Sequence, residues 1–266
     1  HKNEIKKVIV SEGIKTIGNQ AFSDCKSLES VTLGDSVTTI GDKAFFDCTS
    51  LANINLGSVT TIGKWAFSVC ESLKSVTLGD SVTTIGESAF SSCTSLKSVT
   101  LGNSVTTIGD KAFYYCTSLE RVNLGNRVTT IKEFAFFHCG SLTNINLGSV
   151  ETIERQVFDG CSSLESVDLG SVTTIGELAF YNCTKLASVT LGNSVTAIGD
   201  KAFKGRTGLT TVTLPTDAEK AKKVKEAICK QTEKDPGDGK NNPINFINDP
   251  EPAVEKKKEE KKENKK

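Results

Sequence analysis

A pattern of 22 or 23 residues occurs nine times along this chain, and it constrains the fold more than any other feature of the sequence. Phenylalanine marks each unit, at positions 22, 45, 67, 90, 113, 136, 158, 180 and 203. Cysteine follows three residues later in eight units, and Arg206 takes its place in the ninth. A unit this short cannot bury its own apolar side chains, so stacked copies must cover one another. The repeat therefore predicts a solenoid, whose units we number one to nine by their phenylalanines.

Each unit has two halves with different hydrophobic periods. In the copy "SLKSVTLGNSVTTIGDKAFYYC", Leu96, Val99 and Leu101 lie in a stretch rich in Val and Thr with a period of two, which predicts a short strand. The half that follows spaces its apolar residues three or four apart, which predicts a return leg with a turn of α-helix or 3₁₀-helix. The 22-residue intervals arise where "LGDSV" or "LGNSV" shortens to "LGSV", which indicates a loop.

Equivalent residues of stacked units should form ladders. The stretch from Ile5 to Ile17 has the same register and precedes the first phenylalanine as a half-unit. We therefore expect ten parallel strands and nine return legs, with a spacing of roughly 4.8 Å between neighbouring strands. The phenylalanine ladder should be the main column of the core.

The row of cysteines could serve in disulfides, metal binding, catalysis or packing. Parallel side chains in a row disfavour disulfide bridges, and the sequence has no C-x-x-C pair of the kind that binds zinc. Eight equivalent thiols with only two histidines do not suit a single activated nucleophile. His138 and Cys139 are consecutive residues, which rarely converge on one atom. Cysteine is small and readily buried, so we interpret the row as packing, with redox or metal roles as the alternatives.

The combined pattern, L-x-x-V-x-L followed by V-x-x-I-G-x-x-A-F-x-x-C-x-x-L, resembles the BspA-type leucine-rich repeat of bacterial and protist surface proteins. The resemblance extends from Ile5 to Leu214. It implies an α/β solenoid that forms a right-handed superhelix, with a parallel β-sheet on the concave side. It also implies surface exposure and adhesion, in some members to fibronectin, fibrinogen or other bacteria. The family often has Pro after the last strand leucine, whereas here Gly is usual and Pro occurs only at Pro215.

The composition changes after the last repeat. Thr216 and Glu219 have the spacing of a capping box, and Ala221, Val224 and Ile228 fall on one helical face. Since the last unit of a solenoid must be covered, we expect a capping helix here. A partner-binding helix is the alternative.

Three segments follow from these patterns. Residues 1–214 form the solenoid, as a half-unit plus nine units, and residues 215–234 form the C-terminal capping helix. Residues 235–266 combine a Pro- and Gly-rich stretch, which is typical of a linker, with the charged sequence "EKKKEEKKENKK". Mixed charges without an apolar face predict a disordered tail.

Two sets of residues could contact a ligand. Ser and Thr dominate the exposed strand positions, as suits a pleated sheet, but five positions in neighbouring units differ and could contact a polar or charged ligand: Arg121, Asn123, Asn144, Asn146 and Asp168. The second set consists of aromatic residues on the return legs, chiefly Trp65, Tyr114 and Tyr115. Exposed aromatic residues mark protein contacts, although they could equally shield the outer seam of the solenoid.

Composition excludes several classes of function. The 32 basic residues balance the 32 acidic residues, so no net charge favours nucleic acid. No stretch approaches the roughly 18 apolar residues that direct membrane insertion requires. The chain opens with "HKNEIKK" and has no methionine, so we expect that a leader or an upstream domain precedes His1 in the native protein.

The sequence has no phosphate-binding loop, metal cluster or distinctive pair of carboxylates, so we expect no enzymatic activity and no cofactor. Our leading hypothesis is a non-catalytic recognition or adhesion module, at the cell surface or secreted. It would bind a protein ligand, such as an extracellular-matrix or host-cell protein, through the solenoid face. The alternative is a structural spacer of roughly 45–50 Å that presents another domain.

Overall fold

The computed structural model describes residues 4–205, 208–232 and 244–250. Parallel strands stack into a solenoid of about nine turns. The strands of units one to four are β1 (Lys7–Ile9), β2 (Thr16–Ile17), β3 (Ser30–Thr32), β4 (Thr39–Ile40), β5 (Asn53–Ile54), β6 (Thr61–Ile62), β7 (Ser75–Thr77) and β8 (Thr84–Ile85). The later strands are β9 (Ser98–Thr100), β10 (Thr107–Ile108), β11 (Arg121–Asn123), β12 (Thr130–Ile131), β13 (Thr152–Ile153), β14 (Ser166–Leu169), β15 (Thr174–Ile175), β16 (Ser188–Leu191), β17 (Ala197–Ile198), β18 (Thr211–Thr213) and β19 (Asn245–Ile247).

These strands form two parallel columns. The long-strand column contains β1, β3, β5, β7, β9, β11, β14, β16, β18 and β19, and the short-strand column contains the other nine. Equivalent residues pair, as Val76 pairs with Val99 and Ile108 with Ile131. In unit seven, residues 144–146 contribute a single bridge, from Asn146 to Asp168. The predicted ladder register is therefore confirmed.

The prediction of helical or 3₁₀ return legs is wrong. The Thr-Ile part of each leg is a short strand, and the A-F-x-x-C part is a series of hydrogen-bonded turns. In unit one the N–H of Ala21 donates within the leg to Gly18 O (3.2 Å), but the N–H of Phe22 donates to Ala44 O of the next unit (2.8 Å). A helix would keep these bonds within one leg and leave the neighbouring unit's groups unpaired. Stacking thus selects turns instead of a helix.

The turns require a left-handed backbone at two positions of each unit. The residue before the inward Ala and the residue before the Cys have φ between 52° and 63° wherever they are not glycine. This region favours Gly, Asn and Asp, and it costs other residues about 1–3 kcal/mol each. The sequence nevertheless places Trp65, Val69 and Tyr115 there.

The phenylalanine column is confirmed as the centre of the core. All nine rings lie in one stack, with 5.2–5.6 Å between neighbouring centroids and at most 14° between planes. Every ring is fully buried except Phe22 at the first turn. This spacing corresponds to offset stacking, and truncation of one such ring to Ala typically costs about 3–5 kcal/mol.

The cysteine column is buried and unbridged, as the packing interpretation predicts, but it also forms hydrogen bonds that sequence reasoning missed. From unit two to unit eight, each thiol lies 3.1–3.2 Å from the carbonyl oxygen of the preceding unit's phenylalanine. Phe113 O, for example, accepts both the N–H of Cys116 (3.3 Å) and the thiol of Cys139 (3.2 Å). The thiol therefore satisfies a buried acceptor that Ala or Val would leave with one bond fewer.

Two elements cover the last unit. Helix α1 (Ala218–Thr232) buries Ala221, Val224 and Ile228 against the solenoid. Its N-cap is Asp217, whose carboxylate accepts the N–H of Lys220 (2.9 Å), and not Thr216, whose hydroxyl accepts from Asn193 (2.8 Å). The capping-box prediction is therefore wrong.

Among the described residues, no helix has the length and apolar character needed to cross a membrane.

Strand β19 lies inside the stretch that the sequence predicts to be linker. It pairs with β18, and Val212 aligns with Phe246. The exposed edge of β18 and the apolar ring of Phe246, which packs against the core, explain why this short segment adopts a strand. Apart from residues 244–250, the predicted linker and the charged tail lie outside the described residues.

Burial raises the pKa of seven column thiols, to about 12 for Cys48 and Cys93. In the unfolded chain the pKa of a thiol is near 8.5. The contribution of a buried thiol to stability is therefore complete below that pH, and it is lost as the pH rises toward the raised pKa of the folded chain, because only the unfolded chain releases the proton. Each thiol removes about 1.4 kcal/mol per pH unit, and seven remove about 10. We expect cooperative unfolding between about pH 9.5 and 11, measured by circular dichroism.

The triple variant Cys93→Ala, Cys116→Ala and Cys139→Ala serves as the control for this pH dependence. The free energy of unfolding of this variant should also fall as the pH rises, but its slope should be smaller than that of the parent chain by about 4 kcal/mol per pH unit, because three thiols are missing. An identical slope in the parent chain and the variant would show that the buried thiols do not cause the alkaline transition.

Candidate recognition site

The five candidate residues of the long-strand column are all exposed and lie in three consecutive units. Arg121 and Asn123 belong to β11, and Asp168 belongs to β14. Asn144 and Asn146 lie between them, in the unit that contributes only one bridge. The guanidinium of Arg121 is 3.8 Å from the carboxylate of Glu120 and points into solvent.

Three of these side chains shape the turn that follows their strand. The Oδ1 atoms of Asn123, Asn146 and Asp168 accept the backbone N–H two residues later, at distances of 2.9–3.0 Å. Asn55 forms the same bond with Gly57 (3.0 Å). Three of the four residues precede a shortened "LGSV" loop. Turn formation therefore explains why these positions are not Thr, and their role in ligand binding stays a prediction.

Tyr114 and Tyr115 lie in a larger aromatic cluster that spans units five and six. The ring of Tyr114 stacks on Phe137 (5.0 Å, 8°), and the ring of Tyr115 stacks on His138 (4.9 Å, 2°). Phe134 meets Phe137 edge to face at 5.6 Å. We call these five residues, Tyr114, Tyr115, Phe134, Phe137 and His138, the aromatic surface.

The aromatic surface is only partly exposed, because its rings cover one another. Tyr115 is the most accessible member, at 38% exposure, and the other four are half-buried. Cations flank Phe134: Lys111 Nζ lies 5.6 Å and the Arg155 guanidinium 5.8 Å from the ring centroid. Such contacts stabilise each cation over a ring face. The cluster therefore presents ordered aromatic edges beside positive charge.

Unit seven closes one side of the cluster. A Cβ atom at Gly160 would lie 3.0 Å from the His138 ring, and the φ of +74° at this glycine also disfavours a side chain. Asp159 is buried beside it and accepts a hydrogen bond from Gln156 (2.8 Å). Burial raises the pKa of Asp159, whereas the hydrogen bond and His138 lower it. The missing side chain at Gly160 thus leaves room for the histidine ring, which stacks on Tyr115.

Trp65 does not join this cluster. Its ring is half-buried in unit three and lies 5.2 Å from Lys43 Nζ, which also approaches Phe46 (5.8 Å). His138 is not among the site residues predicted from the sequence, where it is noted only as the neighbour of Cys139. The signal was present, since His138 occupies the same repeat position as Tyr115 one unit earlier.

No group of three or more His, Cys, Asp or Glu side chains is placed to hold a metal ion in the part of the chain that the structure describes. The surfaces above offer aromatic, amide and cationic contacts, which suit recognition.

The BspA type leucine rich repeat region matches residues 1–120 and 106–230, with six copies. This chain belongs to that family. A leucine-rich repeat protein of T. pallidum has a similar solved structure, with 34% identity and a TM-score of 0.56 over 60% of this chain and 78% of that chain. No match was found among curated proteins.

Two more distant solved structures are also similar. One is a leucine rich cell surface protein of Faecalibacterium prausnitzii, with 24% identity, a TM-score of 0.47 and coverage of 92% of this chain and 88% of that chain. The other is the pneumococcal vaccine antigen PcpA, with 22% identity, a TM-score of 0.48 and coverage of 82% and 58%. Because both TM-scores are below 0.5, the T. pallidum structure supports the fold more directly.

Asn144 and Asn146 provide a matched test of the turn assignment, since both are exposed amides of one unit. Asn146→Ala removes the hydrogen bond to Gly148 N–H and should lower the free energy of unfolding by about 1 kcal/mol. Asn144→Ala should change it by less than about 0.5 kcal/mol. Urea denaturation measures both, and equal effects would contradict the assignment.

Proposed function

We propose that this protein is a non-catalytic recognition module that binds a partner protein through its aromatic surface. The observation that carries the proposal is the cluster of Tyr114, Tyr115, Phe134, Phe137 and His138 on two adjoining units. Tyr is among the residues that contribute most to binding at protein interfaces, where aromatic side chains supply area and a polar group together.

The backbone conformation supports a role beyond stability. Phe134, Tyr115 and His138 have φ of 56–58°, where Gly, Asn or Asp would be less strained. Units seven and eight place Gly160 and Asn182 at the position that Tyr115 and His138 occupy. Because the turn accepts these smaller residues, the bulky rings of units five and six are not needed to form it, which favours a binding role.

The cluster is also ordered before binding. Its rings stack on one another, and backbone hydrogen bonds join their units, as from Tyr115 N–H to Phe137 O (2.8 Å). Little side-chain freedom is left to lose when a partner docks. Lys111 and Arg155 beside Phe134 favour a partner with carboxylates opposite them.

Family membership supports the cellular setting of this proposal. We place the protein at the cell surface or in the secreted fraction, with an extracellular-matrix or host-cell protein as its partner. We further propose that the coil is right-handed and that the long-strand column is concave, as the family resemblance implies.

A spacer role is the second candidate. The observation that favours it is the uniformity of the long-strand column, in which most exposed positions are Ser or Thr. Ten strands at the interstrand pitch would give a rod of roughly 45–50 Å, able to present another domain without a ligand of its own.

The double variant Tyr114→Ser, Tyr115→Ser tests the proposal. It gives unit five the "FSSC" sequence of unit four, where Ser91 and Ser92 occupy the same positions, so the scaffold should accept it. Immobilised parent chain should bind fibronectin, fibrinogen or host cells saturably in biolayer interferometry. We expect the variant to bind about 10- to 100-fold more weakly, since loss of one hot spot costs about 1–2 kcal/mol.

The matched control is Arg121→Ala with Asp168→Ala, on the long-strand column. It should leave the affinity unchanged if the aromatic surface is used. Loss of binding in the control alone would assign the contact to the strands. Absence of saturable binding by a correctly folded parent chain would favour the spacer.

A further inference from the structure

Three stacks of backbone reach the C-terminal end of the solenoid: the long-strand column, the turns of the return legs and the short-strand column. The described residues cover the first two. Strand β19 continues the long-strand column beyond β18. On the turns, the N–H of Phe180 donates to Ala202 O of the next unit (2.8 Å). At the last unit, the N–H of Phe203 donates instead to the side-chain Oε1 of Gln231 (3.1 Å), while Gln231 Nε2 donates to Gly199 O (3.0 Å). The glutamine amide of α1 therefore replaces a peptide group of the missing next unit.

The described residues leave the short-strand column open at this end. One unit earlier, the carbonyls of Thr173 and Ile175 accept the N–H groups of Thr196 (2.8 Å) and Gly199 (2.7 Å). The equivalent carbonyls of the last unit belong to Thr196 and Ile198, and no residue in the described ranges donates to them. Ile198 is half-buried, whereas Ile175 is 1% exposed. Within the described ranges, strand β17 thus has a free edge.

A groove runs along this edge, between β17 and α1. It comprises a cavity of about 570 Å³ and an adjoining one of about 300 Å³. Ile198, Val224 and Ala227 form an apolar floor, and Lys204, Lys223 and Lys230 lie on the rim.

Among the described residues, the lysines on the rim outnumber the acids that line the groove. Within the described part of the chain, Lys204, Lys223 and Lys230 form no ion pair. The carboxylate of Asp200 is already paired with Lys201 (3.2 Å), and Glu226 is the other acid that lines the cavity.

We propose that this C-terminal groove binds an extended acidic segment of a partner protein, which adds a strand beside β17. The segment's N–H groups would donate to the Thr196 and Ile198 carbonyls, as a tenth unit would. Apolar side chains on one face of the strand would cover Ile198, and carboxylates would meet the lysines. A polyanionic glycan would use the lysines but leave the apolar floor in water. This site is separate from the aromatic surface and independent of it.

The probe is a fluorescent peptide of eight residues in which Glu and Val alternate, measured by fluorescence anisotropy with the full chain. We expect saturable binding and none by the Lys–Val counterpart. A peptide with N-methyl groups on alternate residues keeps its charge but loses the strand donors, and it should bind at least about tenfold more weakly. This comparison requires no change to the protein.

The matched protein variants are Lys223→Glu with Lys230→Glu in the groove and Lys15→Glu with Lys74→Glu elsewhere, which have equal net charge. The first should weaken binding about tenfold, and the second should leave it unchanged. The Tyr114→Ser, Tyr115→Ser variant should also bind the peptide normally. A failure of the proposal for the aromatic surface can therefore be distinguished from a failure of the proposal for the groove.

Three results would overturn the proposal: equal affinity of the N-methylated peptide, equal weakening by both charge reversals, or no saturable binding of the acidic peptide. Binding of a heparin oligosaccharide through Lys223 and Lys230, without binding of the peptide, would assign the groove to glycans and likewise contradict strand addition.

Discussion

The structure depends on hydrogen bonds between units that no single unit can form alone. Each return leg donates alternate N–H groups forward to the next leg, and each thiol from unit two to unit eight donates backward to the carbonyl of the preceding unit's phenylalanine. Unpaired, these buried groups would each cost about 1–3 kcal/mol. The turns, the left-handed backbone positions and the choice of Cys all follow from this requirement, because each keeps a group oriented toward its neighbour.

The repeat predicted the ladders and both core columns, because a fixed period places like residues together whatever the local conformation. It did not predict the form of the return legs. Apolar spacings of three or four suit a helix, and only the competition for hydrogen bonds between legs selects turns instead. The N-cap at Asp217 and strand β19 were missed for a related reason: both depend on where the last unit ends in space, which local spacing does not encode.

The candidate sites were predictable to a smaller extent. The rings of Tyr114 and Tyr115 could be selected from the repeat, since most units have Ser or other polar residues there, and the same comparison would have added His138. The Asn and Asp residues of the long-strand column also break the repeat, but the structure gives them a turn role that their residue type alone did not reveal. The groove beside β17 was not foreseeable, because it arises from what the cap leaves uncovered.

Native-state alkylation followed by mass spectrometry tests the central claim most directly. If stacking seals the column, half-buried Cys229 reacts first, and the eight buried column cysteines react only as fast as the whole chain unfolds. Without reductant, the denatured chain should show nine free thiols. Rapid labelling of Cys116 or Cys139 in the folded protein, or any disulfide between column members, would contradict the account.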